Sequence, residues 1–143
     1  MSVARRGSSE RGVVLIASAL AIVALCLFTG LVIDAGMLQQ QRGQAQIAAD
    51  AAAVAGAMQM LPGQTARWST NAALDAARWN GFQNDARTRV TAVADEAGKK
   101  VRVQISRNVP TSFLSVVGVR SMPVEVRAVG GIAKDGKSAV LAQ

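Results

Sequence analysis

The 143-residue chain contains no histidine and no tyrosine, a single cysteine, and only two tryptophans and three phenylalanines. Without histidine there is no imidazole to act as a base near neutral pH or to ligate a metal, and one thiol makes neither a thiolate cluster nor an intrachain disulfide. Asp75, Asp85, Asp95 and Glu96 show no spacing suited to paired acid and base work, and no glycine-rich phosphate loop occurs. Neither an enzymatic role nor a cofactor nor a metal is expected. Few aromatics also means no base-stacking platform, and the 13 basic residues after position 33 are scattered among eight acidic ones rather than gathered into a stripe. The net charge of +7 therefore reads as solvated surface that suits anionic headgroups or acidic partners, with no nucleic acid and no small-molecule substrate.

What the chain does have is an uncharged run, residues 13–33, closed by Asp34. As a helix its 21 residues measure about 31 Å, which matches a hydrocarbon core of about 30 Å. Thirteen of them are Leu, Ile, Val or Phe, which favours insertion by roughly 4 to 8 kcal/mol. The run is apolar all round, unlike a core helix with one polar face, and it is longer than a secretory h-region. Arg5, Arg6 and Arg11 precede it, and the first basic residues after it are Arg42 and Arg67. Basic residues near a span resist translocation, so the amino terminus is expected in the cytoplasm and the remainder outside it. Cys26 lies mid-run as a small apolar side chain. Asp34, at the boundary, reads as a hydrated interfacial carboxylate or as a residue with a specific role in helix pairing or assembly.

From Asp34 to Met58 nearly every residue is a good helix former, so the span and this stretch are expected to form one long helix. Ile47, Ala51, Val54 and Met58 recur at helical spacing beside Ala48, Ala52 and Ala55, a stripe suited to docking on the domain's own sheet or on another subunit. Leu61, Pro62 and Gly63 end the helix. A second helix is expected over 65–79, with Trp68, Ala72, Ala76 and Trp79 on one face, the tryptophans serving as core anchors, and Asn80 and Gly81 as its stop. Beyond Phe82 the pattern alternates: strands over 88–93 and 99–106, paired as a hairpin through Asp95, Glu96, Ala97 and Gly98, and a last strand over 122–129. Val101, Val103, Ile105, Val124, Val126 and Ala128 should point inward. Between the strands, 111–117 reads as a short helix sending Phe113, Leu114 and Val117 into the core. The fold class is α+β: a long amino-terminal transmembrane helix continuing outside the membrane, a second helix, then a small three-stranded antiparallel sheet with a helical insert. The expected organisation is a cytoplasmic terminus (1–12), a span (13–33), an extracytoplasmic domain (34–130) and a flexible tail (131–143).

The segment GLVIDAGMLQQQRGQAQIAADAAAVAGA resembles the amino-terminal signature of TadG-like (TadE/TadG-like) proteins of the tight adherence, or Flp, pilus-assembly system. The matching positions are Asp34, Gly36, Arg42, Ala48, Ala49, Asp50, Ala51, Ala52, Ala53, Ala55, Gly56 and Ala57. Asn80, Gly81 and Phe82 are similar to the family's helix exit, and Val109, Pro110, Thr111, Ser112, Phe113 and Gly118 to its segment before the last strand. Longer TadG-like proteins add a region resembling a von Willebrand factor A domain; its D-x-S-x-S loop does not occur in these residues, so metal-dependent adhesion is not carried over.

The resemblance implies a non-enzymatic, single-span protein of the bacterial inner membrane. It would act in assembling or anchoring a Tad-type pilus, with other assembly or pilin subunits as partners through helix packing. The helix-packing candidates are Ile47, Val54, Met58, Trp68 and Trp79. The alternative is a minor pilin or pseudopilin that enters a filament. Prepilin-like relatives carry glutamate at the fifth residue after the cut; here that position is Ala17 after Gly12, or Gly12 after Gly7.

Overall fold

The computed structural model describes residues 7–60, 65–95, 97, 99–132 and 138–141. The first element, α1, is one unbroken helix of 52 residues, Gly7–Met58, and is about 78 Å long. Its inner half is long and apolar enough to cross a membrane, and residues 11–29 expose their side chains on every side. Its outer half lies across a sheet. The expected continuity of the helix from the apolar run to Met58 is thus observed, whereas Leu61, Pro62 and Gly63 lie outside the described residues.

The second helix, α2 (Ala66–Trp79), stops at Asn80, whose side chain donates to the Ala76 carbonyl at 2.8 Å. Gly81 then takes a left-handed φ of 83°, which glycine adopts at little cost, and Phe82 N–H returns to the Ala77 carbonyl at 2.9 Å. Four strands follow as a meander: β1 (Thr88–Asp95), β2 (Lys100–Pro110), β3 (Ser121–Ile132) and β4 (Ser138–Leu141), each antiparallel to its neighbour. The α+β architecture and its first three strands match the expectation. In addition, β4 extends the sheet from within the segment read as a flexible tail. Its four residues lie beyond a stretch rich in glycine and lysine, too short to present a visible alternation.

The helices cover one face of the sheet. Val101, Val103, Ile105, Val124, Val126 and Ala128 point into this layer, with Val103 opposite Ala128 and Ile105 opposite Val126. Arg102, Glu125 and Arg127 face away, as alternation requires.

Against these strands α1 sets Ala45, Ala48, Ala49, Ala52, Ala53 and Ala57, and α2 sets Ser69, Ala73, Ala76 and Ala77. Such small side chains bring backbones into near contact. A Cβ on Gly56 would lie 2.9 Å from the Ser69 carbonyl oxygen, and one on Gly130 of β3 would overlap the Ala53 carbonyl.

This close approach corrects two expectations. Trp68 and Trp79 are 64% and 85% exposed, because the buried face of α2 is rotated by one residue, about 100°, to its alanine side. A tryptophan would hold the helices apart. For the same reason Ile47 and Met58 are exposed and Val54 only half-buried, while the neighbouring alanines make the contact with the sheet.

Candidate functional site

The segment between β2 and β3 forms a hydrogen-bonded polar arrangement against the end of the apolar run. After Pro110 the chain turns through Thr111, Ser112 and Phe113 into one 3-10 turn, Leu114–Val117, and leaves at Gly118 with a left-handed φ of 94°. Phe113 occupies the position that precedes the turn and has no side-chain acceptor to offer its N–H groups. The acceptor comes from α1. One carboxylate oxygen of Asp34 receives the Ser112 N–H at 2.9 Å, and the other receives those of Phe113 at 2.9 Å and Leu114 at 2.7 Å. Asp34 is 1% exposed, so the hydrated carboxylate expected from sequence does not describe it: its bonds are made to the loop of the same chain.

One turn before Asp34, the Phe113 ring rests on Gly30. A Cβ there would come within 2.5 Å of the ring, so glycine leaves the space that the ring fills. The remainder of the loop closes on itself. Thr111 Oγ1 donates to the Val119 carbonyl, Thr111 N–H to the Arg120 carbonyl at 3.1 Å, and Val119 N–H to the Leu114 carbonyl at 3.0 Å. The expectation that Phe113, Leu114 and Val117 enter the core is corrected here. Phe113 is 47% and Val117 67% exposed, and Leu114 is half-buried, because the turn is tied to α1 below the sheet rather than folded beneath it.

A second tie lies at the sheet's near corner. Arg107 of β2 donates to Thr88 Oγ1 at 3.1 Å and to Gln41 Oε1 of α1 at 3.3 Å, with its guanidinium 4.8 Å from the centre of the buried Phe82 ring. Asp85 shapes the approach to β1: the backbone N–H groups of Arg87 and Thr88, each 2.7 Å away, hold its carboxyl below the ordinary value of 3.8.

The remaining signature residues divide by environment. Ala48, Ala49, Ala52 and Gly56 are buried at the helix–sheet contact, and Asp50 accepts from Gln46 at 2.9 Å. Ala51 is half-buried. Gly36 is exposed with open space around it, so packing does not explain a glycine there. Arg42 is exposed along an open groove of about 430 Å³ between α1 and the start of β3. Among the described residues no group of three His, Cys, Asp or Glu side chains comes close enough to hold a metal ion.

Residues 12–59 match the family model of Flp pilus-assembly TadE/G-like proteins. The similarity covers 48 of the 143 residues, about a third of the chain. The match begins at Gly12 and ends just beyond α1, so it takes in the apolar run, Asp34 and the alanine face, and stops before α2 and the sheet. No curated protein and no solved structure matches the chain. Of the two sides of the Asp34 tie, the TadE/G-like region supplies the carboxylate, and the sheet-bearing part supplies the N–H groups.

Proposed function

We propose that this protein is a non-enzymatic, single-span component of the bacterial inner membrane that assembles or anchors a Tad/Flp-type pilus. Its amino terminus would face the cytoplasm and its α+β unit the periplasm or exterior. The observation that carries the reading is the coincidence of the TadE/G-like match with α1. One continuous helix joins an apolar run, exposed except at Gly30, to an alanine face packed on a sheet. Arg11, and Arg5 and Arg6 before it in sequence, favour a cytoplasmic terminus. Own-sheet packing uses the alanines, so Ile47, Met58, Trp68 and Trp79 remain on the surface as contacts for other pilus-assembly or pilin subunits.

The test is the intact mass and amino-terminal sequence of the protein recovered from membranes and from sheared surface material of its native cells. A full-length chain confined to membranes supports an assembly anchor. A chain beginning near Val13 in sheared filaments supports the minor-pilin alternative instead.

A further inference from the structure

The segment 108–119 contains no charged residue, and Arg120 closes it. Val109 is buried and Leu114 half-buried, but the other apolar side chains past Pro110 do not turn inward: Val116 is 81% exposed, Val117 67%, Phe113 47% and Val119 42%. A cluster of this kind on a water-facing surface is unfavourable and marks a contact. Its level is fixed by Gly30, on which Phe113 rests. Gly30 lies inside the apolar run, about 4.5 Å along the helix axis before its last residue, Ile33. The exposed cluster is therefore continuous with the apolar surface of α1.

The polar backbone of the loop is matched to the same level. Irregular backbone is costly in an apolar medium unless its hydrogen-bonding groups are paired. Here the N–H groups of residues 112, 113 and 114 bond to Asp34, and those of 111, 116, 118 and 119 bond to carbonyls within 111–120. Burying Asp34 beneath the loop gives the carboxylate three donors, which a charge at the edge of a bilayer requires.

We propose that the 110–119 loop is a second membrane contact. It lays Phe113, Val116 and Val117 into the boundary between headgroups and acyl chains of the leaflet on the sheet's side, beside α1. Arg120 and the polar sheet stay at the headgroups. The occupant of the apolar face is lipid. The inference rests on the reading of residues 13–33 as a membrane span.

The test uses the full chain, with Trp68→Phe and Trp79→Phe, reconstituted in vesicles of phosphatidylcholine and phosphatidylglycerol. A single tryptophan is introduced by Val116→Trp, or by Val117→Trp should the first variant fail to fold, and a reference by Leu25→Trp. The loop tryptophan is expected to emit at shorter wavelength than in the unfolded chain. It should lose intensity with lipids brominated near the headgroup more than with lipids brominated near the chain ends, and Leu25→Trp should respond to the deeper bromines. Loop emission quenched by aqueous iodide, or shielded from both iodide and bromine by a second copy or another protein, overturns the proposal while the Leu25→Trp response upholds the span. If Leu25→Trp is itself insensitive to brominated lipid, the span reading falls and the loop proposal with it.

Discussion

An oxygen of the Asp34 carboxylate lies 2.7 Å from the backbone nitrogen of Leu114, a residue 80 positions away in the chain. A single side chain at the end of the apolar run thus holds the loop between β2 and β3 against α1. Asp34→Ala removes the acceptor of three N–H groups and should free the loop. Asp34→Asn, which keeps one carbonyl oxygen, should loosen it less. Hydrogen exchange is expected to accelerate at residues 112–114 in the order wild type, Asn, Ala, with the amides of β2 unchanged. Equal exchange in all three proteins would show that the carboxylate does not hold the loop.

The contact of α1 with β3 leaves no room for a side chain at Gly130. Gly130→Ala forces the Ala53 backbone away and should cost roughly 1–3 kcal/mol, as overpacking does. Gly131→Ala meets its nearest atom at 3.3 Å and should cost less. Urea unfolding in detergent micelles compares the two.

Size and importance diverge among the apolar residues. Ile105 is fully buried, and Ile105→Ala should destabilise by about 2–5 kcal/mol. Trp79→Ala, at a far larger but exposed side chain, should fall within about 0.5 kcal/mol of wild type. A large loss for Trp79→Ala would restore the tryptophan to the core.

Asp85 is ionised more readily in the folded chain than in the unfolded one because Arg87 and Thr88 donate to it. A lowered folded pKa means that its contribution is complete above the unfolded value, near 3.8, and is lost as pH falls from there through the folded value. Asp85→Asn should flatten the acid limb of stability below that pH and leave the range from about pH 5 to 8 without added slope. Denaturant midpoints measured across pH read this directly.

If α1 joins other subunits outside the membrane, the exposed Ile47 and Met58 are the residues that make the contact. Ile47→Ser and Met58→Ser together should leave the amount of membrane-bound protein and its unfolding midpoint near wild type while reducing surface piliation. Undiminished pili would assign subunit packing to another face.

The sequence made the order of elements legible because two periodicities are clean in it. The uncharged run and helix formers of α1, and the alternation from Val101 to Ile105 and from Val124 to Ala128, translate directly into helix and strand. The core was less legible, because large apolar residues normally mark it. Here helices and sheet meet at alanine and glycine, which leaves Trp68, Trp79, Ile47 and Met58 outside. The Asp34 tie was hidden for a different reason: caps are ordinarily supplied by the residue next to the helix, and this one is supplied from another element. The available sign was a negative one, a short helical segment entered through Phe113 with no capping side chain.

Because α1 passes from the apolar run to the sheet without a break, the apolar run and the folded unit share one lever arm. From Asp34 to Met58 that arm measures about 36 Å, so if residues 13–33 cross a bilayer, a tilt of about 10° there would swing its far end by about 6 Å. Loop and helix, joined at Asp34, would then act as a bracket against that swing, and tension applied to the sheet would reach the bilayer at this joint.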